Sequence, residues 1–259
     1  MEFICGWHTD KGIKKEVNED SLLYMTANSL KGRVVLAVVC DGMGGLSHGE
    51  LASATVVEAL SKWFQNDFKE KLENQNFKLE DIESSLSRLL KKCNQHIMSY
   101  GENRHIHLGT TVTGMIVFQN EYIIFHVGDT RIYRIDLKIE QLTEDQTWIN
   151  SEIKKGRLTK EQATNDPRKN VLTQCIGATK VVEPVFSYGH IFEEDIFMIC
   201  SDGFRHVISE DEIYTKLNIE TCTSRESITN QLYELIELNK MRNELDNITA
   251  LAFVCKEVV

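Results

Sequence analysis

Proline is nearly missing from this 259-residue chain. It occurs twice, and 42% of the residues are apolar, so neither a proline-rich linker nor general disorder fits. Positive charge is in deficit: 29 Lys and Arg against 39 Asp and Glu leave a formal charge of -10. A nucleic-acid partner is excluded on that balance, because such a protein needs a basic surface to displace counterions from phosphates. No apolar run approaches the roughly 18 residues that span a bilayer, so membrane insertion is not expected. The opening MEFICGWHTD has no basic segment followed by an apolar stretch, so no signal peptide is expected. There are seven cysteines, an odd number, and none forms a CxxC pair, so zinc spacing is absent. Cys40, Cys200 and Cys255 lie in apolar runs and read as small core residues. Reduced thiols and a cytoplasmic protein are the expectation. GxGxxG and Walker-type phosphate loops are also lacking, and no cysteine sits in a phosphate-cradling loop.

What is present is hydrophobic patterning. Strands are expected over 3–8, 21–26 and 34–40. The run VVLAVVC is continuous and β-branched, which suits a strand buried on both faces. Amphipathic helices are expected over 50–64 and 79–100, where apolar residues recur at helical spacing. The Lys-rich KEKLENQNFK between them reads as a solvated loop. Strands return over 110–118, 121–127 and 131–135, the first two joined by a tight QNE connection. A polar, helix-prone stretch over 144–165 precedes a strand at 195–200, helices near 209–217 and 225–240, and a last strand at 248–255. No repeat or linker interrupts this order. It predicts one domain over residues 1–259, of the α+β class, with antiparallel sheets covered by helices.

The chemistry is carried by carboxylates at strand ends. Asp41 follows VVLAVVC and precedes GMGG; Asp202 follows IFMICS and precedes Gly203; Asp129 follows IIFHVG. Asp246 comes just before the last strand, and Glu19 and Asp20 stand in VNEDS before the second. One Asp-Gly at a strand end is ordinarily a turn. Several in one chain suggest a cluster, and clustered carboxylates repel one another unless cations or protons intervene. Oxygen ligands without His or Cys favour magnesium or manganese. Two such ions produce a nucleophilic water near neutral pH and stabilise in-line phosphoryl displacement, without a protein nucleophile. His105 and His107 form an HxH pair that reads as a solvated loop, His126 as a strand residue near the site, and Met43 as packing against its turn.

The segments VNEDS, VCDGMGG, GTTVTG, HVGDTRIYRI, LTEDQTW, NDPRKNVLTQCIG, CSDGF and DNITALAFV, in this order over residues 6 to 254, make the chain resemble the type 2C, or PPM, metal-dependent protein phosphatases. The DGMGG form is similar to the bacterial branch. The resemblance implies a four-layer α/β/β/α sandwich, two stacked antiparallel sheets flanked by helices. It implies hydrolysis of phosphoserine and phosphothreonine on proteins by a metal-bridging water, with phosphoproteins made by a serine/threonine kinase as partners. Carried over residue by residue, Asp41 would bridge two ions of manganese or magnesium and the Gly42 carbonyl would add a ligand. Asp202 and Asp246 would hold one ion, Glu19 and Asp20 would serve the other, and Asp129 would help bind a third, weaker ion. Asn247 would orient the site.

Some positions depart from the pattern. Lys15 stands where the family has a phosphate-binding arginine; lysine is a point charge and makes no bidentate fork. Gln146, Asp166 and Gln174 replace residues more usual in relatives, around a flap. They motivate two other readings: a catalytically weak module that binds a phosphoprotein or a kinase, and a hydrolase of small phosphorylated metabolites.

Overall fold

The structure, a computed structural model, describes residues 1–29, 32–43, 48–74, 77–164 and 166–256. The chain opens with β1 (Glu2–Asp10), β2 (Ser21–Ser29), β3 (Gly32–Cys40) and the short β4 (Gly42–Met43). α1 (Gly49–Trp63) continues through a π turn at Phe64–Phe68 into α2 (Lys69–Leu72), and a 3-10 turn at Leu79–Ile82 leads into α3 (Glu83–Arg104). Next come β5 (Gly109–Thr110), β6 (Val112–Phe118), β7 (Glu121–Val127), β8 (Arg131–Ile135) and β9 (Ile139–Gln141). α4 (Trp148–Lys154) and α5 (Lys160–Thr164) form the insert, followed by β10 (Val185–His190), β11 (Ile196–Cys200) and α6 (Asp202–Arg205). α7 (Glu210–Lys216), α8 (Arg225–Met241) and β12 (Ile248–Lys256) complete the order.

Two antiparallel five-stranded sheets result, in the orders β1-β12-β11-β8-β9 and β10-β7-β6-β3-β2. Successive side chains of a strand point to opposite faces, and this decides the layers. Val34, Leu36, Val38 and Cys40 of β3 pack with Ala52, Val56 and Leu60 of α1 and Leu86 and Leu90 of α3. The alternate Val35, Ala37 and Val39 face the other sheet, where Phe197, Ile199, Leu251 and Phe253 meet them. In the second sheet Met198, Cys200, Ala250 and Ala252 turn outward onto Ile228, Leu232 and Leu235 of α8. This gives the four-layer α/β/β/α sandwich, and VVLAVVC is buried on both faces as its composition predicts.

Two expectations need correction and one, the helical character of 144–165, is refined. KEKLENQNFK is not a solvated loop throughout. Its Lys69–Leu72 part is helical and Phe77 is buried, with its ring edge-on to Phe68 and Phe118; Gln75 and Asn76 lie outside the described residues. The polar stretch over 144–165 resolves into two short helices around a turn. β10 was not expected at all: it is an edge strand paired only with β7, and its half-exposed VFSYGH carries little hydrophobic signal.

Candidate active site

The candidate residues gather along a seam at one end of the sandwich, where strand ends of the two stacked sheets come together. β2 and β3 bring Asp20 and Asp41 side by side, since Ser21 pairs with Cys40 and each acid stands one residue beyond that pair. β11 and β12 do the same for the opposite sheet, with Cys200 paired to Ala250 just before Asp202 and just after Asp246 and Asn247. Asp129 lies in the crossing from β7 in one sheet to β8 in the other. Asn247 stitches the seam: its side-chain oxygen accepts from the Glu19 N–H at 2.9 Å, and its amide donates to the carbonyls of Lys11 and Val17, both at 3.0 Å.

Glycine has a different use here from the one its position suggests. A Cβ on Gly42 would lie 2.2 Å from the Glu19 carbonyl oxygen and 2.5 Å from that of Gly49. A Cβ on Gly203 would lie 2.2 Å from the Asn247 carbonyl oxygen. The DG pairs therefore let backbone segments of the site pack against each other, and any larger residue would push them apart.

The Asp41 backbone is fully engaged. Its N–H donates to Thr111 Oγ1 at 2.9 Å, and its carbonyl accepts from the Thr110 hydroxyl and the Thr111 N–H, both at 2.9 Å. Behind it lies a buried hydroxyl chain in which Thr113 donates to Thr130 at 2.9 Å and Thr130 donates to Thr111 at 2.8 Å. His126 closes the chain, with Nδ1 2.8 Å from the Thr113 hydroxyl and Nε2 3.0 Å from the Glu144 carbonyl. It is a buried strand residue, as expected, and burial pulls its pKa below the usual imidazole value.

The side chains carry the electrostatic signature of a crowded acidic site. Burial first, then the charges of Asp202, Asp20, Asp129 and Asp246, raise the Asp41 carboxyl well above the usual range. Burial also lifts Asp20 to about 7, helped by Asp202 and Asp246 and opposed by the hydroxyls of Thr249 and Ser201. Those hydroxyls have other partners: Ser201 donates to the Thr249 carbonyl at 3.4 Å and accepts from the Thr249 N–H at 3.0 Å, and Thr249 Oγ1 lies 2.7 Å from that of Thr9. Among the described residues neither Asp20 oxygen has a hydrogen-bond partner, although both are buried. Asp129 is likewise lifted to about 7, chiefly by burial and then by Asp202.

Three carboxylates have instead found cations within the chain. Lys15 Nζ sits 2.8 Å from Asp246 Oδ1, with both side chains half-exposed. His206 bridges Asp202 and Glu244, each at 3.3 Å. Burial opposes its charge, but the two carboxylates outweigh it and push the imidazole up to about 10, while Asp202 is held at about 2. Arg205 Nη2 lies 3.0 Å from the Asp129 carbonyl oxygen and 3.4 Å from Oδ2. Glu19 is spent on α1, where its Oε1 accepts from the Gly49 N–H at 2.8 Å and complements the positive helix end. Lys15, expected at the substrate phosphate, thus rests against one of the acids of the site.

Among the described residues, no three His, Cys, Asp or Glu side chains are gathered tightly enough to enclose an ion. The donor set nevertheless fits hard cations. It is all oxygen, its mutual repulsion is strong enough to raise Asp41, and Asp20 presents two buried oxygens that nothing satisfies.

Arg205, His206, Glu244 and the three threonines were not singled out from the sequence. The i,i+4 spacing of Asp202 and His206 at the start of a helix was the available signal for one of them. His105 and His107 lie in the exposed loop after α3, as expected. Met43 pairs with Gly109 in the small β4–β5 ladder. Gln146, Gln174 and Asp166 serve the insert. Gln146 exchanges bonds with Gly128 at 3.0 and 2.7 Å, Gln174 accepts from the Glu183 N–H at 2.7 Å, and Asp166 forks Arg168, which stacks 3.6 Å over Trp148.

Comparison with known proteins points one way. Residues 9–248 match the model of the family described as Protein phosphatase 2C. A Streptococcus pyogenes chain assigned to the protein phosphatase 2C type is 33% identical over 93% of each sequence. The S. agalactiae serine/threonine phosphatase superposes with a TM-score of 0.83 at 29% identity, covering 98% of this chain and 100% of that one. The catalytic domain of the serine/threonine protein phosphatase PstP, solved in complex with two manganese ions, superposes at 0.77 with 25% identity, covering 99% of this chain and 100% of that one.

Proposed function

The chain belongs to the protein phosphatase 2C family and is a serine/threonine protein phosphatase; we propose that it acts as one domain over residues 1–259, with two ions of manganese or magnesium at the seam of its sheets. Asp41, Asp202 and Asp246, with Asp20, Glu19 and the Gly42 carbonyl, are the groups assigned to hold them. The observation that carries this reading is Asp20, a buried carboxylate with two unsatisfied oxygens beside a second carboxyl raised by its neighbours. Bound ions would supply an activated water and neutralise charge on the phosphoryl group.

The remaining chemistry belongs to the chain. The threonine chain and the Asp41 backbone bonds fix Asp41 against rotation. Asn247 holds the Glu19–Asp20 loop of one sheet against the Asp246 turn of the other. Lys15 is the cation we assign to the substrate phosphate; it stands beside Asp246 on a flexible, half-exposed stem. A point charge there attracts a phosphate without fixing its orientation, so affinity is expected to be modest. At Asp129 the carboxylate is already held by Arg205, and a third ion is no part of this proposal.

Substrates are inferred to be proteins phosphorylated by a serine/threonine kinase, in the cytoplasm. Seven unpaired cysteines, six of them buried, support a reducing compartment. Among the described residues no helix is long and apolar enough to cross a membrane. The test is turnover of phosphothreonine and phosphoserine peptides with and without millimolar manganese, beside a small phosphorylated metabolite. Manganese-dependent release of phosphate from the peptides is expected. Peptide binding without turnover at saturating manganese would favour a phosphoprotein-binding module instead, and preference for the metabolite would replace the protein substrate.

A further inference from the structure

Three carboxylates of the acidic site are paired with basic side chains, and the pairs differ in kind. Lys15 and Asp246 are 39% and 41% exposed, on a long flexible stem, so water can take the place of either partner. His206 can give up its proton when a stronger cation competes for Asp202. Arg205 can do neither. Its guanidinium stays charged at any working pH, its side chain is 13% exposed, and it faces acids 10% and 9% exposed.

The surroundings fix it further. Arg205 Nη2 contacts the Asp129 carbonyl oxygen at 3.0 Å, Asp129 Oδ2 at 3.4 Å and Asp145 Oδ2 at 3.4 Å. Asp145 is in turn held by a two-pronged bond from Arg131, at 2.8 and 2.7 Å, and Arg131 also donates to Tyr133 Oη at 2.9 Å. Arg131, Asp145, Arg205 and Asp129 therefore form an alternating row of two positive and two negative charges, half-closed from water and neutral as a set. Among the described residues Arg205 Nε is buried with no hydrogen-bond partner, a cost the fold retains beside the three Nη2 contacts. A divalent ion brought to Asp129 would meet a fixed positive charge already in contact with its carboxyl.

We propose that Arg205 is a built-in cation at Asp129, standing where the family resemblance leads one to expect a third divalent ion, so that this chain takes two ions and no third. The inference rests on the two-ion reading of the core site, and it also gives Arg205 a positioning role. It ties the acidic seam at Asp129 to Asp145, at the root of the α4–α5 insert, through a contact that needs no metal.

Manganese binding to the full chain, followed by calorimetric titration and by the resonance of free manganese, tests it. The wild type is expected to saturate with two ions and show no further uptake at millimolar manganese. Arg205→Ala should gain a third, weaker site, at least about tenfold tighter than any residual binding in the wild type. Arg205→Lys should still bind two, and Asp129→Asn in the wild-type background should leave the count and affinities unchanged. A third ion in the wild type that Asp129→Asn removes overturns the inference and leaves the core reading intact; so does a folded Arg205→Ala that gains nothing. No manganese bound to the wild type overturns the core reading itself, and this inference with it. If Arg205→Ala does not fold, the wild type and Asp129→Asn decide the matter alone.

Discussion

Asp41 is a carboxylate set chiefly among its own kind, and that decides what its replacement does. Asp41→Asn keeps the shape and the backbone bonds to Thr110 and Thr111, but deletes the charge that burial and four neighbouring acids already resist. Two opposite effects follow. Activity should fall by at least about 100-fold, because the ligand proposed for the centre of the site is lost. The metal-free protein should melt higher than the wild type, because like-charge repulsion is relieved. Phosphopeptide kinetics and calorimetry in chelator check both; a variant that melts lower in chelator would show that Asp41 is not under that repulsion. At this scale the sequence was informative about which acids come together, since Asp41, Asp129 and Asp202 each end an apolar strand beside glycine and Asp20 and Asp246 each stand just before one. It was silent about the cations. Lys15 was expected at the substrate phosphate, and nothing in a local pattern says that a residue in the β1–β2 loop also lies against Asp246 across the chain.

The elements were legible where burial is strong and obscure where it is not. β3, β6, β7, β11 and β12 are apolar on both faces, a sequence pattern hard to read otherwise. β10 and β9 are short edge strands with half-exposed side chains, and their pairing is set by neighbours, not by their own residues. The pairing of the sheets was also implicit in VVLAVVC, since two buried faces require two partners. The clearest element-level test is in the inter-sheet layer. Phe197 on β11 is fully buried, stacks on Phe253 at 5.5 Å and meets Tyr122 edge-on at 5.6 Å. Phe197→Ala leaves a cavity that neither sheet can close, and should cost about 3–5 kcal/mol in a urea titration. A loss below about 1 kcal/mol would mean that the layer repacks.

For the whole molecule, the acidic seam links stability to pH and to metal. Asp20 and Asp129 are raised from 3.8 to about 7, so the folded metal-free protein holds protons that the unfolded chain has released. A raised carboxyl contributes stability below its folded pKa and loses it as pH rises through the window from 3.8 to about 7. The melting temperature in chelator should therefore fall between about pH 5 and about pH 7, and manganese should restore more of it at the higher pH, where the proposed ligands are already deprotonated. Asp20→Asn should flatten the chelator curve. A melting temperature that rises across the same interval would contradict the direction of both shifts.

The seam has a further consequence. Asp20 and Asp41 ride on one sheet, Asp202 and Asp246 on the other, and Asn247 spans them. The proposed reaction centre is thus a clasp between two plates, sensitive to the plates' alignment more than to their integrity. A slip too small to break any ladder of hydrogen bonds would still part the two halves of the clasp. In rising urea, turnover should fade while the far-ultraviolet circular dichroism of both sheets is still intact, and the gap between the two midpoints would measure how far the plates can slide before they come apart.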